Sequence, residues 1–467
     1  MHGQQKFDQF VNKHPHDHRT YFQRPHWTRR QFFEVLGAGV TGSFLIERAR
    51  AAETQAAAQV ATINKAKNVI FILLTGAPSH TDTFDLKVVQ GTTPANFNPA
   101  TIGGMQWPTG LLPKLADQLS NIAVVRSMHA WALVHSLAQT WAQIGRNPAA
   151  ALGDIAPNIG SVVALEKDKE RLPTQVFPSF LALNSNSGSG PGYFSAKFAP
   201  FKYSPAATGL PDTTNPDGVT RVDERLTQLH AIDDPLRINS PLGRPLEDLN
   251  DFYDASRKLM YNSAVTQAFG YTQADSARYG SSAFGNACLV AKQVLAANQG
   301  TRFIQISFGS WDMHQDIYGQ QTPGGNNLYT MGKPFDAGLA TLLADLKSSG
   351  LLSNTLVVAV GEFGRTVGGV TAAGGRDHYL QLSSLFAGAG IRGGRALGAT
   401  NSSGSDTVDY GWSRQRYIRP EDIEATIYSA MGINWTTVRY DDPFGRGFEY
   451  VPFSDQDLYG PINELWS

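Results

Sequence analysis

Between Thr355 and Val360 the chain reads Thr-Leu-Val-Val-Ala-Val, a continuous apolar run rich in β-branched residues. A run this short suits a strand covered on both faces, as in a parallel sheet, better than a strand with a solvated side. It stops abruptly at Gly361-Glu362-Phe363-Gly364-Arg365-Thr366. The glycine-rich loop that follows ends in Gly374-Gly375-Arg376-Asp377-His378. In open α/β sheets chemistry gathers beyond the carboxyl ends of the strands. A carboxylate, two arginines and an Asp-His pair around one strand end therefore read as a polar site.

The same alternation recurs along the chain. Residues 68–75 (NVIFILLT) read as a first buried strand, ending at Gly76-Ala77-Pro78-Ser79-His80-Thr81-Asp82. A second strand over 122–126 leads into a helix over 136–145, and a helical pattern follows at 161–169. Residues 177–183 are a further apolar run. Segments 184–191 and 205–218 are rich in Gly, Ser, Pro and Asp and read as loops. Helices are expected over 246–268 and 281–298. A strand over 302–308 then delivers Gly309-Ser310-Trp311-Asp312-Met313-His314. A helix over 336–349, an apolar run at 382–389 and a helix over 420–431 complete the chain. The last has Pro420 at its start and Glu421 and Asp422 in its first turn, as the helix dipole favours. Strands alternating with helices predict an α/β fold, a mainly parallel sheet sandwiched by helices, with an added helical segment at about 222–300.

The amino-terminal stretch carries a different signal. Arg29-Arg30-Gln31-Phe32-Phe33 precedes a modestly apolar run over 35–46 and then Ala49-Arg50-Ala51. Paired arginines, a short Gly/Ala-containing apolar region and an A-x-A site form a twin-arginine export signal. Residues 1–51 are thus expected to be a leader handed to the twin-arginine translocase. A single domain over 52–467 would reach the periplasm or the medium. No stretch of the mature chain reaches membrane-spanning length. With 42% hydrophobic and 17% charged residues, a sizeable core is available. The net charge of -1 supplies no general attraction to nucleic acid. One cysteine, Cys288, excludes an intrachain disulfide framework and reads as a small buried hydrophobe.

Eleven histidines occur, and five of them (His2, His14, His16, His18, His26) lie in the leader. Of the other six, His80, His129, His135, His314 and His378 fall after expected strands. With Asp82, Asp85, Asp312, Glu362 and Asp377 they either hold a divalent metal through nitrogen and oxygen or form a hydrogen-bonded rim without one. Asp312 and His314, two apart, share a face in extended backbone. Arg126, Arg365 and Arg376 either grip a tetrahedral anion or pair with those acids. Ser136 at a helix start reads as a nucleophile or as an N-cap, with Ser79 as a second nucleophile candidate. Neither G-x-S-x-G nor G-x-G-x-x-G is present, which disfavours an ordinary α/β-hydrolase and a dinucleotide fold.

The carriers of a family resemblance are GAPSHTDTFDLK (76–87), VRSMH (125–129), RYGSSAFGNACLVAKQVL (278–295), GSWDMH (309–314), GEFGRT (361–366), GGRDHY (374–379) and PEDIEATIYSAMGI (420–433). With these motifs in this order, the chain resembles the bacterial domain-of-unknown-function family 1501. That family is grouped with the alkaline phosphatase and sulfatase superfamily. The resemblance implies an alkaline phosphatase-like fold and a two-metal site that clamps an anionic ester, of small-molecule or polymer-borne kind. It implies metal ligands (zinc, manganese, calcium or magnesium) among His80, Asp82, Asp312, His314, Glu362, Asp377 and His378. Arg365 and Arg376 would orient the anion, and Ser136 would stand where the nucleophile sits. The superfamily strand that ends in Asp-His reads Glu362-Phe363 here. That substitution favours an alternative, a secreted binding or assembly protein on a degenerate hydrolase scaffold.

Overall fold

The structure, a computed structural model, describes residues 60–185, 188–237 and 244–467; the leader expected over 1–51 lies outside them. Eight strands form the main sheet. In chain order they are β1 (Asn68–Thr75), β2 (Ile122–His129), β3 (Phe180–Leu183), β4 (Phe201–Tyr203), β5 (Phe303–Gly309), β6 (Thr355–Gly361), β7 (Gln381–Gly388) and β8 (Arg395–Leu397). Their spatial order is β8-β2-β7-β6-β1-β5-β3-β4. Every neighbouring pair is parallel except those of β7, which runs antiparallel to both β2 and β6. The expected α/β class with a mainly parallel sheet is the observed one.

Besides a one-turn helix at Pro113–Ala116, the described residues form nine helices: α1 (His135–Ile144), α2 (Ile159–Lys167), α3 (Gly218–Arg237), α4 (Arg244–Leu259), α5 (Ser263–Phe269), α6 (Gln273–Arg278), α7 (Ala283–Ala297), α8 (Leu328–Ser348) and α9 (Pro420–Ala430). Successive strand residues point to opposite faces. Ile70, Ile72 and Leu74 of β1 accordingly join a core with Val290 and Val294 of α7 and Leu339 and Leu343 of α8. Val69, Phe71 and Leu73 join a second core with Val162 and Val163 of α2 and Ile423 and Ile427 of α9. Each such buried aliphatic side chain contributes about 1.5–3 kcal/mol. Two apolar faces per strand therefore fix a three-layer arrangement.

Two expected helices differ in extent. The helix read over 246–268 is broken at Tyr261, which takes φ 53°. The Asn262 side chain then accepts from the Ala264 N–H and starts α5. The helix read from 336 begins at Leu328, because Asn327 and Thr330 form a reciprocal capping pair and Pro334 is accommodated in the second turn.

The topology decides what reaches the site. β1, β2, β5 and β6 all end at one rim. β7 runs the other way, so the segment before it, carrying His378, arrives at that same rim. A two-residue pairing of His378 with Arg365 and Tyr379 with Gly364 fastens this segment to the loop after β6.

Candidate metal centre

Three imidazoles and one carboxylate converge where these loops meet. His135 is the first residue of α1, after β2. Asp312 and His314 follow β5, and His378 precedes β7. One ligand-type atom from each lies within 4.8 Å of those of the other three. Close backbone approach makes this possible. A Cβ at Gly76 (φ 96°) would stand 2.5 Å from the Asp312 nitrogen, and one at Gly375 would stand 1.9 Å from the His314 carbonyl carbon. Glycine at both positions lets β1 and the His378 loop press against the Asp312–His314 segment.

The hydrogen bonds fix the tautomers. His135 Nδ1 lies 2.7 Å from Glu362 Oε1, His314 Nδ1 lies 2.9 Å from Asp377 Oδ1, and His378 Nδ1 lies 2.7 Å from the Leu133 carbonyl oxygen. A carboxylate and a carbonyl only accept, so each Nδ1 carries a proton, and each ring, when neutral, turns its Nε2 lone pair inward. With the rings neutral these four inward atoms are all acceptors, and the donor that reaches them is the guanidinium of Arg365, whose Nη2 donates to Asp312 Oδ1 at 2.6 Å and whose Nη1 lies 3.4 Å from His314 Nε2. His314 Nε2 is 3.1 Å from His378 Nε2 and 3.0 Å from Asp312 Oδ1. Asp312 Oδ1 is 3.3 Å from His135 Nε2 and 3.8 Å from His378 Nε2. His135 Nε2 is buried without a hydrogen-bond partner.

A tetrahedral cation with bonds of about 2.0–2.2 Å separates its ligands by about 3.3–3.6 Å. The observed spacings bracket that range, so the residues present fit a metal ion. Glu362, Asp377 and the Leu133 carbonyl then serve as the outer partners that orient metal-binding histidines.

Glu362 is itself tightly placed. Its Oε1 accepts from the Gly76 N–H at 2.8 Å, from His135, and from the Gln139 side-chain amide at 2.9 Å. Its Oε2 is buried without a partner. Gln139 stands one turn beyond His135 on the same face of α1. Phe363, fully buried, lies beneath two of the rings, with its centroid 4.7 Å from that of His135 and 4.6 Å from that of His378. The phenyl group at the position where the resemblance implies an imidazole is thus a floor for the cluster.

Arg365, only 1% exposed, donates from Nη2 to Asp312 Oδ1 at 2.6 Å and to the Gly76 carbonyl. From Nε it donates to the Ala77 carbonyl at 3.0 Å, and from Nη1 to the Arg376 carbonyl at 3.2 Å. Burial opposes the Asp312 charge, but the Arg365 hydrogen bond and the attraction of Arg365, His135 and His314 hold its carboxyl below the usual range. The hydrogen bond to Glu362 raises the His135 pKa against the effect of burial. Burial lowers that of His378, aided by Arg365.

The remaining expected residues sit elsewhere on the rim. His80 is buried, its Nε2 donating to the Gly404 carbonyl at 2.9 Å, and burial keeps the ring neutral. Asp82 and Arg376 pair with each other at 2.6 Å, each 1% exposed, with Tyr318 donating to Asp82 at 2.8 Å. Ser136 is exposed at the second position of α1, whose N-cap is Val134. The structure therefore brings Asp312, His314 and His378 together, places Glu362 and Asp377 behind them, and sets His80 and Asp82 apart. His135 completes the set. Its place after a strand was visible in the sequence, but no neighbouring acid marked it as a ligand. Among the described residues this is the one cluster of its kind, where the resemblance implied two metals.

A family model described as "Protein of unknown function (DUF1501)" matches residues 66–456. No curated protein matches the chain. Solved structures with similarity include Ps i-CgsB in complex with k-i-k-neocarrahexaose (13% identity, 85% of this chain and 79% of that chain, TM-score 0.39). Another is the PsFucS1 sulfatase from Pseudoalteromonas sp. (13% identity, 79% and 68%, TM-score 0.38). A third is the phosphonate monoester hydrolase of Agrobacterium radiobacter (11% identity, 78% and 74%, TM-score 0.35).

Proposed function

The chain belongs to the DUF1501 family, and from the geometry of its histidine cluster we propose that it is a metal-dependent hydrolase of a phosphate- or sulfate-class ester. The observation that carries this reading is the convergence of three inward Nε2 atoms on the Asp312 carboxylate, four acceptors facing the single guanidinium of Arg365. His135, Asp312, His314 and His378 would hold the ion. Three nitrogens and one oxygen suit zinc or manganese better than calcium or magnesium, which take oxygen ligands. When bound, such an ion polarises an ester oxygen and makes water a nucleophile at neutral pH.

The chain's own residues do the rest. Glu362, Asp377 and the Leu133 carbonyl hold the three rings in the metal-binding tautomer. Arg365 orients Asp312 and places a fixed positive charge beside the site, favouring an anionic substrate. Ser136, exposed one residue beyond His135, would be the protein nucleophile if the ester is attacked covalently. The paired arginines Arg29 and Arg30 support delivery to the periplasm or medium by the twin-arginine translocase.

The test is metal content after native purification, with turnover of aryl phosphates and sulfates. About one zinc or manganese per chain is expected. In the His314→Ala variant that metal should be lost, and turnover should fall by roughly a thousandfold, about 4 kcal/mol of transition-state stabilisation. Full activity in a metal-free protein would overturn the reading.

A further inference from the structure

Beside the cluster, the loop between β5 and α8 encloses a cleft of about 450 Å³, lined in part by Asp312, His314, Gln315, Gln321, Thr322 and Asn326. That volume lies within the range of small-ligand sites, roughly 300–1,000 Å³. The loop is folded around two side chains. The Asp316 carboxylate accepts from the backbone N–H of Gln321 at 3.0 and 3.1 Å and of Thr322 at 2.6 Å. From the other end, the Asn327 amide donates to the carbonyls of Thr322, Pro323 and Gly325 at 3.4, 3.1 and 3.1 Å. Its shape is therefore set before any ligand arrives, which reduces the ordering cost of binding. The outward face is left to the exposed side chains of Gln315, Gln321, Thr322 and Asn326.

The charge of the lining is as informative as its shape. None of the lining residues is lysine or arginine, while Asp312 and Asp316 are both among them. A second anionic group, such as a nucleotide diphosphate, would meet two carboxylates and no cation there. Side-chain amides and a hydroxyl both donate and accept, which matches a row of alcohol groups. Resting on the hydrolase reading above, we propose that this cleft binds the alcohol part of the ester, and that this part is a neutral saccharide unit.

The test compares hexose 6-sulfates and 6-phosphates with 4-nitrophenyl sulfate and phosphate, using the full-length metal-loaded protein and its Gln315→Ala and Gln321→Ala variants. Each variant should raise KM for the hexose esters about tenfold, with kcat for them changed less than threefold, and should raise KM for the aryl esters less than threefold. Equal shifts on both ester types, or a shift on neither, overturn the proposal. Absence of turnover on every ester by the wild-type protein instead sinks the hydrolase reading. The cleft is then judged by calorimetry with glucose, galactose and cellobiose. Binding that Gln321→Ala weakens about tenfold keeps a saccharide site, and no heat from the wild-type protein removes it.

Discussion

Two polar groupings on the same rim use nearly the same residue types and end up as opposites. In the first, Arg376 donates to Asp82 from Nε at 2.6 Å and Nη2 at 3.3 Å, and its Nη1 donates to the carbonyls of Thr366 and Gly368 at 2.9 and 3.0 Å. Tyr318 and Ser79 donate to the same carboxylate. Each donor meets an acceptor, the charges cancel, and water is excluded. In the second, His135, Asp312, His314 and His378 turn acceptors toward one another, and Asp312 and His314 stay nearly half exposed. Burial alone does not mark a functional site. The imbalance of acceptors over donors does: the one guanidinium of Arg365 faces four acceptors, and a further cation or proton is needed to resolve the rest.

The sharpest way to break this comparison is Asp82→Ala. Removing the carboxylate leaves the Arg376 guanidinium buried and uncompensated, which costs about 3–5 kcal/mol. Chemical denaturation should show that loss, while the protein still folded keeps its full metal content. Loss of metal without loss of stability would put Asp82 in the metal centre and reverse the contrast. The double variant Asp82→Ala/Arg376→Met should recover much of the stability, since both charges are then gone.

A smaller effect probes the outer partner of His314. Asp377→Ala frees the Nδ1 proton and should weaken metal binding about 10–100-fold, roughly 1.4–2.7 kcal/mol, in competition with a chelating dye. Asp377→Asn keeps an accepting oxygen and should retain most of the affinity. The Asp377 side chain is 62% exposed, so unfolding stability should hardly change in either variant. Equal affinity in the alanine variant would mean that His314 needs no outer partner.

Much of this contrast was hidden in the sequence for a physical reason. The buried runs over 68–75 and 355–360 fixed strand positions because apolar side chains on both faces have few alternatives. The motifs GSWDMH and GGRDHY marked Asp312, His314 and His378 because imidazole beside carboxylate is an unusual cost on a strand end. His80 and Asp82 looked equivalent, since spacing along one loop does not tell which long-range partner a side chain meets. Arg376 lies 294 positions from Asp82, and only the folded sheet joins them. His135 was the converse case: its partners Glu362 and Asp312 come from other strands, and nothing adjacent announced them.

The smallest expected effect comes from a third buried carboxyl, which separates the two ways an acceptor imbalance is resolved. Glu424 of α9 accepts from the Tyr428 hydroxyl at 2.9 Å, and its other oxygen is buried without a partner, facing Gly145 at the end of α1. Burial pushes its pKa up to about 8; Arg146 and the Tyr428 hydrogen bond pull it down, and nearby Glu421, itself raised to about 7, pushes the same way as burial. A folded-state pKa above the unfolded one means that the native state holds the proton more tightly. The stabilisation is complete below the ordinary carboxyl pKa near 4.5 and is lost as pH rises through about 8. Glu424→Gln keeps the shape without the ionisation, so its Tm should fall less than that of the wild-type protein between pH 5 and pH 9. Near pH 9 the variant should be the more stable by on the order of 1 kcal/mol. Metal content should be the same in both at every pH, because at Glu424 a proton satisfies the lone pairs that converging imidazoles leave for a metal. A variant that sheds its metal would show instead that the two sites are coupled through α1.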